Sequence, residues 1–249
     1  MKLIVLGSGT CVPSLKRNAS GYYLEATGLN ILIDCGNGVL LQLERAGKSY
    51  KNIDAVFITH THPDHVSDLV AVLHATLAAP GLRRIKDLLL AGPEDFGSYY
   101  KKCVASCLSS PKTFGIDVTE VEDKFMLGDL QVFAAPSVHS AQGFAYRFEA
   151  EGKSVVITGD SDYDRGLVDL SRNADLLIAD CSYPDSLKVA GHMTPSECGR
   201  LAAQARVKRL LLSHIYPGDY EDSILLEECM KVFGGDVSLA EDLMEIDLS

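Results

Sequence analysis

Seven consecutive residues, Thr59-His60-Thr61-His62-Pro63-Asp64-His65, place three imidazoles and a carboxylate directly after the apolar run Ala55-Val56-Phe57-Ile58. A structural role rarely requires that combination, because such side chains gain little from burial unless something charged binds them. The chemistry it suits is metal binding. His60 and His62 alternate along an extended chain, so both project to the same side and can grip one ion together. Pro63 then enforces a turn, and Asp64 and His65, at the start of the next helix, face back from another direction. One short loop can thus give two ligands to one metal and two to a neighbour.

Four groups do not complete two sites, and the chain offers more where apolar strands meet loops. Ser137-Val138-His139-Ser140 follows a strand ending at Ala135, Thr158-Gly159-Asp160-Ser161 follows Val155-Val156-Ile157, and Ser213-His214-Ile215 follows Leu210-Leu211-Leu212. Strand ends are where α/β proteins place their chemistry.

The elements that must position these groups are legible from punctuation and periodicity. Strands are expected at Leu3 to Leu6, Gly21 to Ala26, Ile31 to Asp34 and Ala55 to Ile58, bounded by Gly, Asn or Asp. Val39 to Ala46 has helical spacing and ends at Gly47. Ser67 to Ala78 reads as a helix with Ser67 as cap and Pro80-Gly81 as stop. A short strand at Asp87 to Leu90 and a helix from about Pro93 to Cys107 follow. From Ile116 strands dominate: Ile116 to Glu120, Gln131 to Ala135, Gly143 to Phe148 and Ser154 to Thr158, the last two joined by a hairpin turn at Glu149 to Lys153. Leu176 to Ala179 and Arg209 to Leu212 are further buried strands. Between them Thr194-Pro195-Ser196-Glu197 opens a helix to Ala205 with a complete capping box. A last helix, Asp222 to Phe233, precedes a strand near Val237. Interleaved strands and helices predict a layered α/β fold, and the hairpins in the middle argue against one purely parallel sheet. No linker or repeat divides the chain, so residues 1–249 read as one domain.

Composition limits the function classes. With 47% hydrophobic and 23% charged residues the chain buries a substantial core, and its formal charge of -11 opposes long-range attraction to nucleic acid or an anionic membrane. The basic groups Arg83, Arg84 and Lys86, Lys101 and Lys102, and Lys208 and Arg209 are short and scattered, and each reads as a solvated surface face. Seven dispersed cysteines without CxxC pairs suit reduced thiols in a cytoplasmic protein. The opening apolar run breaks at Gly7-Ser8-Gly9, shorter than a signal sequence requires, and reads as a first strand. No segment approaches the ~20 apolar residues needed to cross a bilayer.

These motifs resemble the metallo-β-lactamase fold superfamily, from Leu3 to the C-terminal strand. The resemblance implies a four-layer αββα sandwich in which His60, His62 and His139 bind a first metal, Asp64, His65 and His214 a second, and Asp160 bridges the two. Ser20-Gly21-Tyr22-Tyr23-Leu24, Leu32-Ile33-Asp34-Cys35-Gly36-Asn37-Gly38 and Gly191-His192-Met193-Thr194-Pro195 resemble ribonuclease Z and its small bacterial relatives. True β-lactamases usually carry cysteine where Asp160 stands. Glyoxalase-like thioesterases and lactonases share the bridging Asp but usually lack the His-x-Thr segment. Bacterial ribonuclease Z also inserts a long arm that clasps transfer RNA between the strands matching Gly143 to Phe148 and Ser154 to Ile157, where only the turn Glu149 to Lys153 stands here.

Two divalent ions would lower the pKa of a bridging water toward ~7 and neutralise charge on a phosphoryl or carbonyl oxygen. Asp64 and Asp160 would orient that water, with Asp64 able to accept its proton. The branch resemblance makes His192 a candidate general acid and Asp180 the carboxylate that holds its tautomer. His74, the one histidine left over, reads as structural. Zinc is the default metal, with manganese or iron also suited to the donor set. The leading expectation is a binuclear metal-dependent hydrolase, a phosphodiesterase acting on a small substrate such as a cyclic nucleotide or cyclic phosphate. The alternatives are a transfer-RNA 3′-end endoribonuclease, which would need a basic groove built from two subunits, and a lactone, ester or thioester hydrolase. Dimers are common among the relatives.

Overall fold

Period-two alternation along apolar strands decides the architecture. The computed structural model describes residues 1–79, 81, 84–140 and 142–248. Strands β1 (Lys2–Gly7), β2 (Gly21–Ala26), β3 (Leu29–Ile33), β4 (Ala55–Phe57), β5 (Leu88–Gly92) and β6 (Ile116–Glu120) belong to one sheet. A second sheet holds β7 (Lys124–Leu127), β8 (Leu130–Pro136), β9 (Phe144–Ala150), β10 (Lys153–Ile157), β11 (Leu176–Asp180), β12 (Arg209–Ser213) and β13 (Asp236–Leu239). The last strand, β14 (Glu245–Asp247), returns to the first, giving two seven-stranded sheets ordered β14-β1-β2-β3-β4-β5-β6 and β13-β12-β11-β10-β9-β8-β7. Each is mixed: β3 to β6 and β10 to β13 run parallel, and the remaining neighbours antiparallel.

Ile31 and Ile33 of β3, Phe57 of β4, Val155 and Ile157 of β10 and Ile178 of β11 meet in one core between the sheets. Their neighbours point outward: Leu32 and Val56 pack under helices α1 (Val39–Arg45), α2 (Pro63–Val66), α3 (Leu69–Ala78) and α4 (Phe96–Tyr99). Val156, Leu177 and Leu212 pack under α5 (Arg165–Leu170), α6 (Pro195–Ala205) and α7 (Ser223–Met230). Strands buried on both faces need apolar residues at every position, which is why they read as continuous apolar runs. The result is the expected αββα sandwich. Phe57 is fully buried, edge-on to Tyr146 at 5.6 Å and Phe148 at 5.3 Å. Phe57→Ala is therefore expected to cost about 3–5 kcal/mol of stability, read from the denaturant midpoint.

The boundaries differ in instructive places. Ser67 closes α2 instead of capping the following helix, and α3 starts after Asp68. Asp68 is anchored there because its N–H donates to the Cys35 carbonyl at 2.8 Å and its Oδ2 accepts from Leu40 N–H at 2.9 Å. Pro80, read as the stop of that helix, and Arg83 lie outside the described residues. The helix expected from Pro93 begins only at Phe96, after Asp95 takes a left-handed φ of 65°, and loosens beyond Tyr99 into a π turn and a 3-10 turn that ends at Cys107. The turn between β9 and β10 is only Glu151-Gly152, with φ of 56° and 70°. Positive φ at both central residues is the conformation that matches strand twist in a tight hairpin. No helix among the described residues is long and apolar enough to cross a membrane.

Candidate metal centre

The C-terminal ends of parallel strands converge on one edge of the sandwich. β3 delivers Asp34, β4 delivers His60, β10 delivers Asp160, β11 ends in Asp180 and β12 delivers His214. His139 joins them from the loop after β8, and α2 turns Asp64 and His65 back toward them, with Pro63 at its first position.

Two clusters result, each with ligand atoms within 4.8 Å of one another: His60, His62, His139 and Asp160, and Asp64, His65 and His214. His60 Nε2 and His139 Nε2 both lie 3.0 Å from His62 Nδ1. Asp160 spans the clusters: its Oδ2 stands 3.7 Å from His60 Nε2 and 3.5 Å from His139 Nε2, and its Oδ1 is 3.2 Å from both His65 Nε2 and His214 Nε2. His214 Nε2 also lies 3.4 Å from Asp64 Oδ2.

The far side of each ring fixes its tautomer. His65 Nδ1–H donates to Asp34 Oδ2 at 2.7 Å, His139 Nδ1–H to the Gly191 carbonyl at 3.0 Å, and His60 Nδ1–H to Thr59 Oγ1 at 3.2 Å. His214 Nδ1 faces Ser182 Oγ at 3.2 Å. Each of these rings turns its Nε2 inward. His65 Nε2 and Asp160 Oδ1 are buried and lack a hydrogen-bond partner among the described residues. Orphaned polar atoms of this kind cost about 1–3 kcal/mol each, and convergent lone pairs repel, so a cation is what this donor set fits.

Where no cation is counted, protons take its place on two of the rings. Burial, reinforced by His65, lowers the pKa of His60 to about 2 and keeps it neutral. For His65 and His214 burial opposes the charge, but Asp160 outweighs it, lifting His214 to about 10 and His65 well above its ordinary value. Asp160 stays ionised against burial because His214 and His65 face it, and the His214 hydrogen bond brings Asp64 down to about 2.

His192 stands beside the clusters. Its Nδ1 lies 2.9 Å from Asp180 Oδ2, and its ring stacks on His214 at 5.6 Å and approaches His139 at 4.6 Å. Asp180 is itself fixed by Ser161 N–H at 3.0 Å and Ser182 Oγ at 2.7 Å. Gly191 has a φ of 86°, and a Cβ there would fall 2.8 Å from His139 Nδ1, so glycine alone lets the two histidine loops approach. Asp160, Asp180, His192 and His214 also form a third close group, but the bond between Asp180 and His192 already occupies that pair. His74 is exposed on α3 and joins none of these groups.

Sequence reasoning attached no role to Asp34, Thr59 or Ser182. Asp34 is 1% exposed and receives Thr59 N–H at 2.8 Å and Thr59 Oγ1–H at 2.9 Å besides His65. Its position at a strand end was the available signal, whereas Ser182 had none. Asp34→Asn should weaken divalent-metal affinity about 10–100-fold by freeing the His65 ring, measurable by chelator competition.

The family model described as the beta-lactamase superfamily domain matches residues 29–215. The chain is 30% identical to the probable metallo-hydrolase YhfI of Bacillus subtilis, over 97% of both proteins. The crystal structure of YhfI superposes with a TM-score of 0.86, at 26% identity and 98% coverage of each chain. Ribonuclease Z of Archaeoglobus fulgidus is 27% identical over 302 aligned positions, covering 100% of this chain and 98% of that protein. The short form of human tRNase Z gives a TM-score of 0.79 at 25% identity, with 100% of each chain covered. The chain belongs to the β-lactamase superfamily of metal-dependent hydrolases. Within it, the chain has the metallo-β-lactamase fold and falls in the ribonuclease-Z-like branch.

Proposed function

We propose that this protein is a binuclear metal-dependent phosphodiesterase acting on a small phosphodiester. The observation that carries the reading is the pair of His/Asp clusters sharing Asp160, with the Asp180-His192 pair beside them. His60, His62 and His139 would hold one divalent ion, Asp64, His65 and His214 the other, and Asp160 both; zinc suits five imidazoles best. When bound, such ions lower the pKa of coordinated water toward about 7 and neutralise charge on the phosphoryl oxygens. Asp64, one of the three donors in its cluster, would orient the attacking water by accepting its hydrogen bond. As the new phosphorus–oxygen bond forms and the bond to the alcohol breaks, His192 gives its Nε2 proton to the departing oxygen. Asp180 accepts from Nδ1–H throughout, which stabilises the charged ring.

What surrounds the site supports a small substrate. The two-residue turn between β9 and β10 leaves no arm there, and the alignment with the archaeal ribonuclease Z needs 302 positions against 249 residues in this chain. Several of the scattered basic side chains are paired: Arg84 donates to the Lys86, Lys51 and Asp87 carbonyls, while Lys86, Lys208 and Arg209 pair with Asp54, Asp175 and Asp236. All seven cysteines are free thiols, in keeping with a cytoplasmic setting.

The test is a panel of metal-loaded reactions with bis-p-nitrophenyl phosphate, cyclic nucleotides, a precursor transfer RNA and a lactone. Phosphodiester turnover without RNA cleavage is the expected result. Accurate 3′ trimming of the precursor would replace the small substrate with RNA, and lactone turnover alone would move the chemistry to carbonyl carbon.

A further inference from the structure

The loop that carries His192, between β11 and α6, is exposed along most of its outer side. Leu187 and Val189 are 52% and 45% exposed, so between the buried ends of the loop at Cys181 and Met193 apolar burial does not hold it. A polar clamp does. Lys188 Nζ donates to the His192 carbonyl at 2.6 Å, to Glu197 Oε2 at 2.5 Å and to Asp162 Oδ1. Glu197 is the third residue of α6 and also accepts from Thr194 N–H at 2.9 Å, so the clamp is seated on the helix cap. Asp162 reaches the other side: its Oδ2 accepts from Gly191 N–H at 2.6 Å, and its own N–H donates to the Val138 carbonyl at 2.9 Å. The Gly191 carbonyl closes the circuit on His139 Nδ1–H. Three loops, bearing His139, Asp160 and His192, are therefore tied together just outside the clusters.

We infer that Lys188 and Asp162 are positioning residues that fix the backbone at Gly191 and His192 so that the imidazole meets the departing oxygen. This rests on the reading of His192 as the general acid. Asp180 sets the tautomer and one anchor point of the ring; behind it the His192 N–H donates to the Val189 carbonyl of the same exposed turn at 3.3 Å and Met193 is buried beyond, and the clamp ties that turn to the neighbouring loops. A misplacement of about 1 Å in such a group can cost about 10²-fold in rate.

The experiment compares Lys188→Met, Asp162→Asn, Lys188→Arg and His192→Ala, all metal-loaded, on two phosphodiesters. One releases p-nitrophenolate, which departs with little need of a proton; the other releases an alkyl alcohol, which needs one. Lys188→Met and Asp162→Asn are expected to lower kcat on the alcohol substrate by about 10-fold or more, with KM and the nitrophenyl rate within about twofold. Lys188→Arg should recover most of the loss. His192→Ala should show the same leaving-group dependence, more strongly. Equal losses on both substrates, or none, in folded metal-loaded clamp variants overturn the positioning role. A His192→Ala enzyme indifferent to leaving group overturns the acid reading instead. Should Lys188→Met disturb the α6 cap and fail to fold, Asp162→Asn, which keeps its backbone bond to Val138, carries the comparison.

Discussion

On a phosphodiester that releases an alkyl alcohol, His192→Ala is expected to lower kcat by about 10²–10⁴-fold while the protein keeps its full complement of metal. The two halves of that expectation come from different observations. The inward lone pairs belong to His60, His62, His65, His139 and His214, and the ring of His192 is committed through Nδ1 to Asp180 at 2.9 Å. Removing it leaves both clusters their donors. Burial alone would favour the neutral ring, but the Asp180 hydrogen bond outweighs it and raises the pKa of His192. An acid must be protonated to act, so the wild-type rate should hold through neutral pH and fall as pH rises through that raised value. The alanine variant should lose this descending limb. Metal analysis and a pH profile on the alcohol-releasing substrate decide the matter: a variant that sheds its metal, or turns that substrate over at the wild-type rate, removes His192 from the reaction.

How much of this arrangement is legible in sequence depends on the range of the interaction. His60, His62, Asp64 and His65 announce themselves because their spacing is local, and Asp160 and His214 because each is a ligand type placed where an apolar strand stops. Asp34 escapes because its partner, His65, lies 31 residues away, and nothing in the order of residues says that the ends of β3 and β4 lie side by side. Ser182 escapes for a similar reason: its hydroxyl matters only through Asp180, His192 and His214, gathered from separate strand ends and loops. The buried strands are easy to find, since burial on both faces forces apolar runs. β7, α5 and β14 are not, because edge strands and short surface helices alternate weakly: Lys124–Leu127 and Glu245–Asp247 bury little beyond Ile246. The misplaced start of α3 belongs to the same class, set by Asp68 reaching Cys35 and Leu40 instead of by any local cap.

Asp160→Ala is the substitution expected to do the most damage to the centre itself. One carboxylate faces both clusters, Oδ2 toward His60 and His139 and Oδ1 toward His65 and His214, so its loss removes a donor from each cluster at once. It also removes the counter-charge of two buried rings, and breaking a buried ion pair from one side costs about 3–5 kcal/mol. The metal-free variant should therefore unfold at lower denaturant than the metal-free parent. In the presence of metal, turnover should fall by about 10³-fold or more, since several kcal/mol of charge stabilisation depend on the ions being held together. Asp34→Asn provides the contrast, because it touches only one ring and should shift affinity while excess metal restores the rate. Saturating metal is not expected to restore Asp160→Ala in the same way, because the missing carboxylate is the one both clusters face. Titration calorimetry with zinc, paired with the phosphodiesterase assay, separates the two cases: two-site binding with near-normal turnover in Asp160→Ala would mean that the clusters act independently and that Asp160 bridges nothing.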